Sequence, residues 1–283
     1  IVHRILLTSP QDVPELRLRL QMGDGLSLVH QETIALRAGQ SWESVEPPLL
    51  LKAQELVATL ETTRSYLLLE LFQEEELVFQ RHWPVEVLAY NHWAGMRGLP
   101  DLLCSFVLPH HPAVSQLLQQ AGQHLAALDG YQSGHAYDQA RALYQAIQDW
   151  QIQYLEGSQG WLENGQKVRT PDQLLEHRQG NCLDLTCLMA AGLRRMGLHP
   201  LIVLVEGHAF PGCWLRPEDD PDGPLSDVSS LHKCLSLGLI CLFDSSSVCA
   251  GLSFEEAEKV ARDHLTEEKF QLALDVRASE RQG

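Results

Sequence analysis

Residues 178–215 read RQGNCLDLTCLMAAGLRRMGLHPLIVLVEGHAFPGCWL and set one strongly apolar helix directly before two strands. Apolar residues after Cys182 lie all around the helical circumference, so this helix must be buried on most sides. Gly197 can end the helix, because helices often close on a glycine. LIVLVE and HAFPGCWL are adjacent strands joined by a turn at Glu206-Gly207. We therefore predict a central helix packed on an antiparallel sheet.

Further strands and a helix extend this core toward the C-terminus. GLICLFD, residues 238–244, predicts a third strand, and KFQLALDV, residues 269–276, predicts a last one. Ser253 begins a capping box for a helix that reaches about Leu265. An acidic loop, residues 216–227, separates the second strand from the third.

Three more helices are predicted upstream of the core. Pro112 suits a first helical position, and the apolar residues after it recur at spacings of three, four and seven. A second helix, over about 136–155, also has one apolar face. TPDQ at 170–173 supplies an N-cap hydroxyl, a proline and a glutamine, which predicts a short helix over 171–177.

The first 93 residues carry short apolar runs separated by turn residues. In ELRLRLQM, Leu16, Leu18 and Leu20 alternate with charged neighbours, which is the period of a half-buried strand. LSLVHQETIALRAG, ELVATLE, RSYLLLELF and ELVFQRHWPVEVLAY are interpreted as further strands. The sequence thus predicts an α+β protein, with an antiparallel, Ig-like β-sandwich at 1–93 and a helix-and-sheet domain at 94–283.

Composition excludes several classes of function. Lys and Arg number 21 against 37 Asp and Glu, and the net charge of −16 would repel a phosphate backbone. We therefore expect no direct nucleic-acid binding. No apolar run of about 18 residues could span a bilayer, and IVHRILLTSPQD lacks the pattern of a signal peptide. We expect a cytoplasmic protein without membrane contact, whose seven scattered cysteines are reduced thiols.

Cys182, His208 and Asp244 supply a thiol, an imidazole and a carboxylate in that chain order. The thiolate is the nucleophilic form of cysteine, so the thiol needs a pKa lowered by a helix N-terminus or an imidazolium. Cys182 follows Gly180-Asn181 at a helix start, and we expect unpaired first-turn N–H groups to point at its sulfur. His208 begins a strand, and Asp244 ends the third strand, where its carboxylate would orient the imidazole.

Two other interpretations compete with a catalytic thiol. A cysteine in an apolar helix is more often a small buried hydrophobe, and Cys187 is assigned to the core for this reason. Zinc is the second alternative, because Cys182, Cys187, His208 and Cys213 offer four ligands. Their spacing lacks the close cysteine pairs of structural zinc, and residues five apart on a helix point about 140° apart. We predict neither a metal nor a cofactor.

GNCLDLTCLMAAGLRRMGLHPLIVLVEGHAFPGCWL resembles the core of transglutaminase-like, papain-related cysteine peptidases, which carry Cys, His and Asp in this order. The whole chain is similar to a module, including a β-sandwich, of large bacterial helicase-type proteins often found in defence islands. That similarity rests on VEVLAYNHWAG, GQKVRTPDQLL, CLDLTCLMAAGL, GHAFPGCWL and LDVRAS. The resemblance implies that residues 94–283 form a transglutaminase-like domain.

The resemblance also implies the role of each site residue. Cys182 would be the nucleophile, His208 the general base and then acid, and Asp244 the orienting carboxylate. The oxyanion would be bound by the Cys182 backbone N–H and one upstream donor, for which Gln166 is the first candidate and Trp161 the second. A solvated turn is the alternative for Gln166.

Two hypotheses about function follow. The first is a cysteine hydrolase, a peptidase that acts on a protein or peptide through a thioester; the alternative chemistries are a transglutaminase, in which an amine takes the place of water as acyl acceptor, and a deamidase. The second is a catalytically inactive adaptor in a multidomain defence protein. Because the chain begins without Met and ends in the charged segment DVRASERQG, we expect other domains or subunits of a larger assembly as partners.

Overall fold

The computed structural model describes four segments of the chain, residues 2–128, 135–157, 160–216 and 227–282. Most of the predicted acidic loop, residues 217–226, lies outside them. The chain divides into two compact units, Ile1–His92 and Trp93–Gly283. Both contain antiparallel sheets and the second is rich in helices, so the protein is of the mixed α+β class. None of the described helices has the length and apolar character that a membrane span requires.

The N-terminal unit has six described strands and a short helix: β1 (Arg4–Thr8), β2 (Val13–Met22), β3 (His30–Leu36), β4 (Ser41–Val45), α1 (Ala53–Val57), β5 (Thr63–Gln73) and β6 (Glu76–Val87). Four strands form an antiparallel sheet in the order β3, β2, β5, β6. β1 and β4 form a separate antiparallel pair. The unit thus has one sheet of four strands and one of two, whereas an immunoglobulin sandwich has about seven strands in two larger sheets.

The alternation in β2 determines which face of the sheet is buried. Leu16, Leu18 and Leu20 are buried, whereas Arg17 between them is only partly covered. The three leucines join Ile5 of β1 in one hydrophobic cluster. The four-stranded sheet and the β1–β4 pair therefore share a core, with the charged side chains of β2 on the opposite face.

One predicted strand is wrong. ELVATLE, residues 55–61, begins inside helix α1, which buries none of its residues. Ala53, Gln54 and Glu55 have high helix propensity, and an apolar run this short does not distinguish a strand from one helical turn. Local propensity therefore outweighs the apolar pattern here.

The C-terminal unit follows β7 (His92–Trp93), which lies at the boundary between the units. Its described helices are a 3₁₀ helix (Pro100–Phe106), α2 (Pro112–Ala126), α3 (Ala136–Gln148), α4 (Trp161–Asn164), α5 (Pro171–His177), α6 (Cys182–Arg195), α7 (Val228–Ser236), α8 (Phe254–His264) and α9 (Val276–Gln282). Its strands are β8 (Gln153–Tyr154), β9 (Gln166–Lys167), β10 (Gln179–Gly180), β11 (His199–Val205), β12 (His208–Trp214), β13 (Ile240–Leu242) and β14 (Phe270–Asp275). The helix expected over 136–155 is shorter, because Gln151 takes a positive φ of 52°.

A four-stranded antiparallel sheet forms the centre of this unit, in the order β13, β12, β11, β14. Every residue of β11 is buried, so the sheet is covered on both faces. Leu201 and Val203 pack with buried residues of α7 and α8. Ile202 and Leu204 pack on the other side with α2, α3 and α6. The period of two in a strand thus sends alternate side chains into opposite layers.

α6 is the central helix of the unit. All of its residues from Cys182 to Leu193 are buried, with β11 and β12 on one side and α2 and α3 on the other. Gly192 permits the close approach of α3, since a Cβ there would lie 2.6 Å from the side chain of Leu143. Because the helix is in contact on all sides, its sequence has apolar residues all around the helical circumference.

We expect Gly192→Ala to destabilise the protein by a net amount of about 1 kcal/mol. Overpacking costs about 1–3 kcal/mol, which exceeds the gain of about 1 kcal/mol in helix propensity. Gly122→Ala in α2 is the matched control, because an added Cβ meets no atom within 4 Å there. The control should raise the free energy of unfolding by about 0.5–1 kcal/mol. Urea denaturation measures both, and equal shifts would contradict close packing of α3 on α6.

Candidate active site

The N-terminus of α6 is capped by the side chain of Asn181. Its Oδ1 accepts hydrogen bonds from the N–H groups of Leu183 and Asp184 at 3.0 and 3.1 Å. The Asp184 carboxylate accepts one from the N–H of Asn181 at 3.0 Å, which completes a capping box. The expectation that first-turn N–H groups are unpaired and point at the Cys182 sulfur is therefore wrong for these two. The N–H of Cys182 itself lies outside the cap.

Asp184 anchors this helix end to a neighbouring segment. Its fully buried carboxylate accepts hydrogen bonds of 2.8 Å from the backbone N–H and the guanidinium of Arg169. Burial raises the pKa of Asp184, and the donors from Arg169 and Asn181 act in the opposite direction. The pair fixes the position of the helix start, and with it the position of Cys182.

His208 is positioned by a two-residue turn. Val205 of β11 pairs with His208 of β12, so Glu206 and Gly207 form the whole connection. Gly207 takes a φ of 71°, a conformation that glycine adopts without strain. The His208 side chain is 12% exposed, and its Nε2 is hydrogen bonded to Oδ1 of Asp244.

Asp244 lies two residues beyond the end of β13, not at the last strand position as the sequence suggested. Its Oδ2 accepts three hydrogen bonds of 2.7 Å, from the hydroxyls of Ser246 and Ser247 and from the N–H of Ser247. Burial disfavours the charged carboxylate, but His208 and the two serines outweigh it and lower the pKa of Asp244 to about 2. The serine-rich turn therefore keeps a buried aspartate ionised.

The imidazole beside it is charged at neutral pH. Burial alone would lower the pKa of His208, but its interactions with Asp244 and with the Cys182 side chain outweigh burial and raise it to about 9. Cys182, His208 and Asp244 thus meet in one place, although they come from α6, β12 and the turn after β13.

Two further side chains reach this group and were missed in the sequence. The buried Ser245 hydroxyl lies 2.8 Å from the carbonyl oxygen of Ala209 and 3.2 Å from that of Cys182. It therefore connects the backbone of the helix start to the strand that carries His208. Burial and the interaction with Cys182 raise the pKa of Tyr154, so its phenol stays protonated. The serine run after Asp244 was a visible signal for Ser245, whereas Tyr154 had none.

Cys182 lies at the edge of a cleft of about 860 Å³. Tyr154, Trp161 and Met96 contribute to its walls. Trp161, the second oxyanion candidate, therefore lines the same cleft as Cys182 and is buried. The cleft gives a bound molecule access to a sulfur that is otherwise covered.

Gln166, the first oxyanion candidate, is buried in β9 and does not lie in a solvated turn. Its Nε2 donates to Oδ1 of Asn181 at 3.4 Å. A carboxamide has two N–H groups, so this bond leaves one free for another acceptor. Gln166 thus lies beside the residue that precedes Cys182.

One group of described side chains has the spacing of metal ligands. Ligand atoms of His208, Asp244 and His264 all lie within 4.8 Å of one another, and two imidazoles with a carboxylate suit zinc. Both Asp244 oxygens, however, already accept hydrogen bonds. The four-ligand zinc set considered from the sequence does not form such a group. The Cys213 thiol lies instead 3.5 Å from that of Cys241.

Comparison with known proteins gives one distant structural likeness. No family model and no curated protein matches the chain. Among solved structures, the chain is similar to a crystal structure from Parabacteroides distasonis described as that of a putative protease, with 12% identity and a TM-score of 0.31. The match covers 87% of this chain and 46% of that one, so this chain spans less than half of its length. A likeness of this extent defines neither a fold nor an activity.

The opposite pKa shifts of His208 and Asp244 predict how stability depends on pH. The folded-state pKa of His208 is raised from 6.5 to about 9, so its contribution is complete below pH 6.5 and is lost as pH rises through 9. The folded-state pKa of Asp244 is lowered from 3.8 to about 2, so its contribution to stability is complete above pH 3.8 and is lost as pH falls through 2. We expect the free energy of unfolding to fall by about 3 kcal/mol across the upper window.

Urea denaturation at several pH values between about 6 and 9.5 measures this dependence. Asp244→Asn should reduce it clearly, because the carboxylate and the Cys182 side chain together raise the pKa of His208 and the variant removes the first of them. His124→Gln is the control, since His124 pairs with Asp149 at 2.7 Å away from this site. A wild-type dependence on pH in the Asp244→Asn protein would show that the His208–Asp244 bond does not set it.

Proposed function

We propose that the C-terminal unit is a cysteine hydrolase of the transglutaminase-like, papain-related type, a peptidase that cleaves amide bonds in proteins or peptides. The observation that carries the proposal is the contact series Cys182, His208, Asp244 at the start of a buried helix. Covalent acyl transfer requires a nucleophile, a base that touches it and a third group that orients the base.

The charges of these groups fit an activated sulfur. The ionised Asp244 stabilises the His208 imidazolium, and an imidazolium beside a cysteine favours nucleophilic attack by its sulfur. His208 uses Nε2 for Asp244, so Nδ1 is the nitrogen that serves the sulfur in this proposal. Asp244 stays ionised throughout and takes no proton.

The reaction would proceed in two half-reactions. In the first, the Cys182 sulfur forms a bond to the amide carbonyl carbon, and His208 gives its proton to the leaving amine as the carbon–nitrogen bond breaks. In the second, water attacks the resulting thioester and His208 accepts its proton. Cys182 leaves, and the acid product is released. An amine in place of water would make the same thioester an intermediate in acyl transfer.

The developing oxyanion needs donors fixed before the reaction. We assign one to the backbone N–H of Cys182, which Asn181 leaves outside its cap and for which a substrate oxygen would replace the Tyr154 hydroxyl as acceptor. We assign the other to the free amide N–H of Gln166, a side chain held by its bond to Asn181. Donors that need no reorganisation contribute strongly in a site from which water is excluded.

The fully hydrogen-bonded Asp244 carboxylate also favours an enzyme over an inactive adaptor. An adaptor needs a binding surface, but it does not need a buried ionised Asp244 held against an imidazole that interacts with a thiol. A buried charge is tolerated only where partners and hydrogen bonds are provided for it, and a domain that only binds has no need of that arrangement. The cleft of about 860 Å³ beside Cys182 has the size of a ligand site.

We expect iodoacetamide to alkylate Cys182 at least about tenfold faster than Cys187 near pH 7. Burial raises the pKa of Cys187 well above its ordinary value, and no imidazole is among the groups acting on it. Both cysteines lie in one tryptic peptide, residues 179–194, so tandem mass spectrometry that locates the alkylated sulfur measures the two rates. Cys182→Ala should abolish cleavage of a peptide library, and Cys187→Ala is the control that should retain it. Equal alkylation rates together with an active Cys182→Ala protein would exclude the enzyme.

We expect Gln166→Leu to lower kcat on a cleaved library peptide by about 10² to 10³-fold with little change in KM, because an oxyanion donor acts mainly in the transition state. Gln166→Glu keeps the shape but replaces the donor with an oxygen, and should be equally slow. Thermal unfolding checks that loss of the Asn181 contact has not unfolded the variants. Wild-type kcat in a folded Gln166→Leu protein would exclude Gln166 as the donor, and Trp161→Phe would be tested next.

A further inference from the structure

A second imidazole lies against the His208 ring. His264 is the last residue of α8, and its ring centroid lies 4.9 Å from that of His208 with an angle of 40° between the planes. The His264 side chain is half-buried. Its ring nitrogen lies within 4.8 Å of ligand atoms of both His208 and Asp244. The sequence contains no local pattern that connects His264 with the other two.

We propose that His264 is a positioning residue which holds the His208 ring on Asp244 while neutral, and which weakens the thiolate–imidazolium pair when it takes up a proton. The inference rests on the proposed function, because it concerns the same base. His264 would touch neither the substrate nor the reacting atoms, and it would act only through His208.

Packing supports the first half of this proposal. A histidine at a strand start can turn about its side-chain bonds, and the hydrogen bond to Asp244 fixes only one ring nitrogen. Contact with His264, together with the Phe210 ring at 6.1 Å, limits the remaining rotation. The His264 ring also covers part of the His208–Asp244 pair, and a hydrogen bond shielded from water is electrostatically stronger.

The charges around His264 support the second half. The groups that act on it are His208 of β12, Asp244 after β13, Asp263 of α8 and Lys269 before β14. Burial and then the His208 charge lower the pKa of His264 below its ordinary value of 6.5, so His264 is neutral at pH 7 and takes up a proton only in more acidic solution. A proton on His264 repels the His208 imidazolium, because the two ring centroids lie 4.9 Å apart.

The alternative is a zinc ion bound by His208, Asp244 and His264. Zinc would need a free lone pair on Asp244, and one oxygen of that carboxylate bonds His208 while the other accepts three hydrogen bonds. Binding the metal would break some of these bonds. The hydrogen-bonded arrangement therefore favours an imidazole pair, and zinc content is an outcome of the test.

The test is the pH profile of Cys182 alkylation by iodoacetamide, which needs no known substrate. His264→Phe keeps a ring against His208 but cannot take up a proton, whereas His264→Ala removes both the ring and the site of protonation. His232→Gln is the matched control, because the His232 ring bonds the carbonyl oxygen of Leu265, the residue that follows His264 in the chain. Circular dichroism confirms folding, and His264→Gln replaces any variant that does not fold.

With His264→Phe we expect the pH at which alkylation slows in acid to move about one unit lower, and the fall in rate to fit the uptake of a single proton. The maximal rate, reached at higher pH, should stay within about twofold of wild type. With His264→Ala we expect the plateau to fall about tenfold, since His208 is no longer held. His232→Gln should follow the wild type in both respects. A Phe profile that coincides with wild type, or an Ala plateau at the wild-type rate, would overturn the proposal.

Two further results are distinguishable from these. If wild-type Cys182 titrates as an ordinary thiol with a pKa near about 8.5, the proposed function fails and the role of His264 falls with it. If the purified wild type holds stoichiometric zinc and His264→Ala does not, the three side chains are a metal site and the positioning role is overturned. An activated Cys182 with an unchanged His264→Phe profile leaves the enzyme intact and removes only this inference.

Discussion

The hydrogen bonds on the Asp244 carboxylate are the constraint on which the rest of the site depends. A charge taken out of water is costly unless it is paired and bonded, and here His208 and two serines together satisfy both oxygens. Because the serines lie within three residues of Asp244 in the chain, one tight turn supplies the hydrogen bonds to Oδ2, and His208 of β12 supplies the one to Oδ1. That charge then holds the imidazole, and the imidazole interacts with Cys182.

The architecture delivers the thiol to this pair through layer packing. The sheet is buried on both faces, and α6 packs directly on β12, which fixes the height of the helix start relative to His208. The Ser245 hydroxyl lies between the backbones of Cys182 and Ala209, so a buried polar contact supplements apolar packing at this point. Nonpolar contacts alone permit small shifts of the helix along the sheet, whereas a directional hydrogen bond restricts such shifts.

Strong local patterns made much of the fold predictable, and long-range contacts account for what was missed. The apolar circumference of α6 and the runs in β11 and β12 indicate their structure directly, as does the capping box at Ser253. The short ELVATLE run was ambiguous, and the donors that Asn181 occupies became visible only with side chains in place. Ser245 and Cys182 are 63 residues apart, and His264 joins the site from a separate helix. No spacing rule connects such residues.

The chain separations within the site have a consequence for protein synthesis. Only the β11–β12 hairpin is local, and hairpins close in about 1–10 µs, whereas the His208–Asp244 bond joins residues 36 apart. Contacts of long separation form late, after the intervening chain is ordered. A nascent or partly folded chain therefore lacks the contacts among Cys182, His208 and Asp244. In the proposed enzyme, the sulfur would become a nucleophile only once the fold is complete.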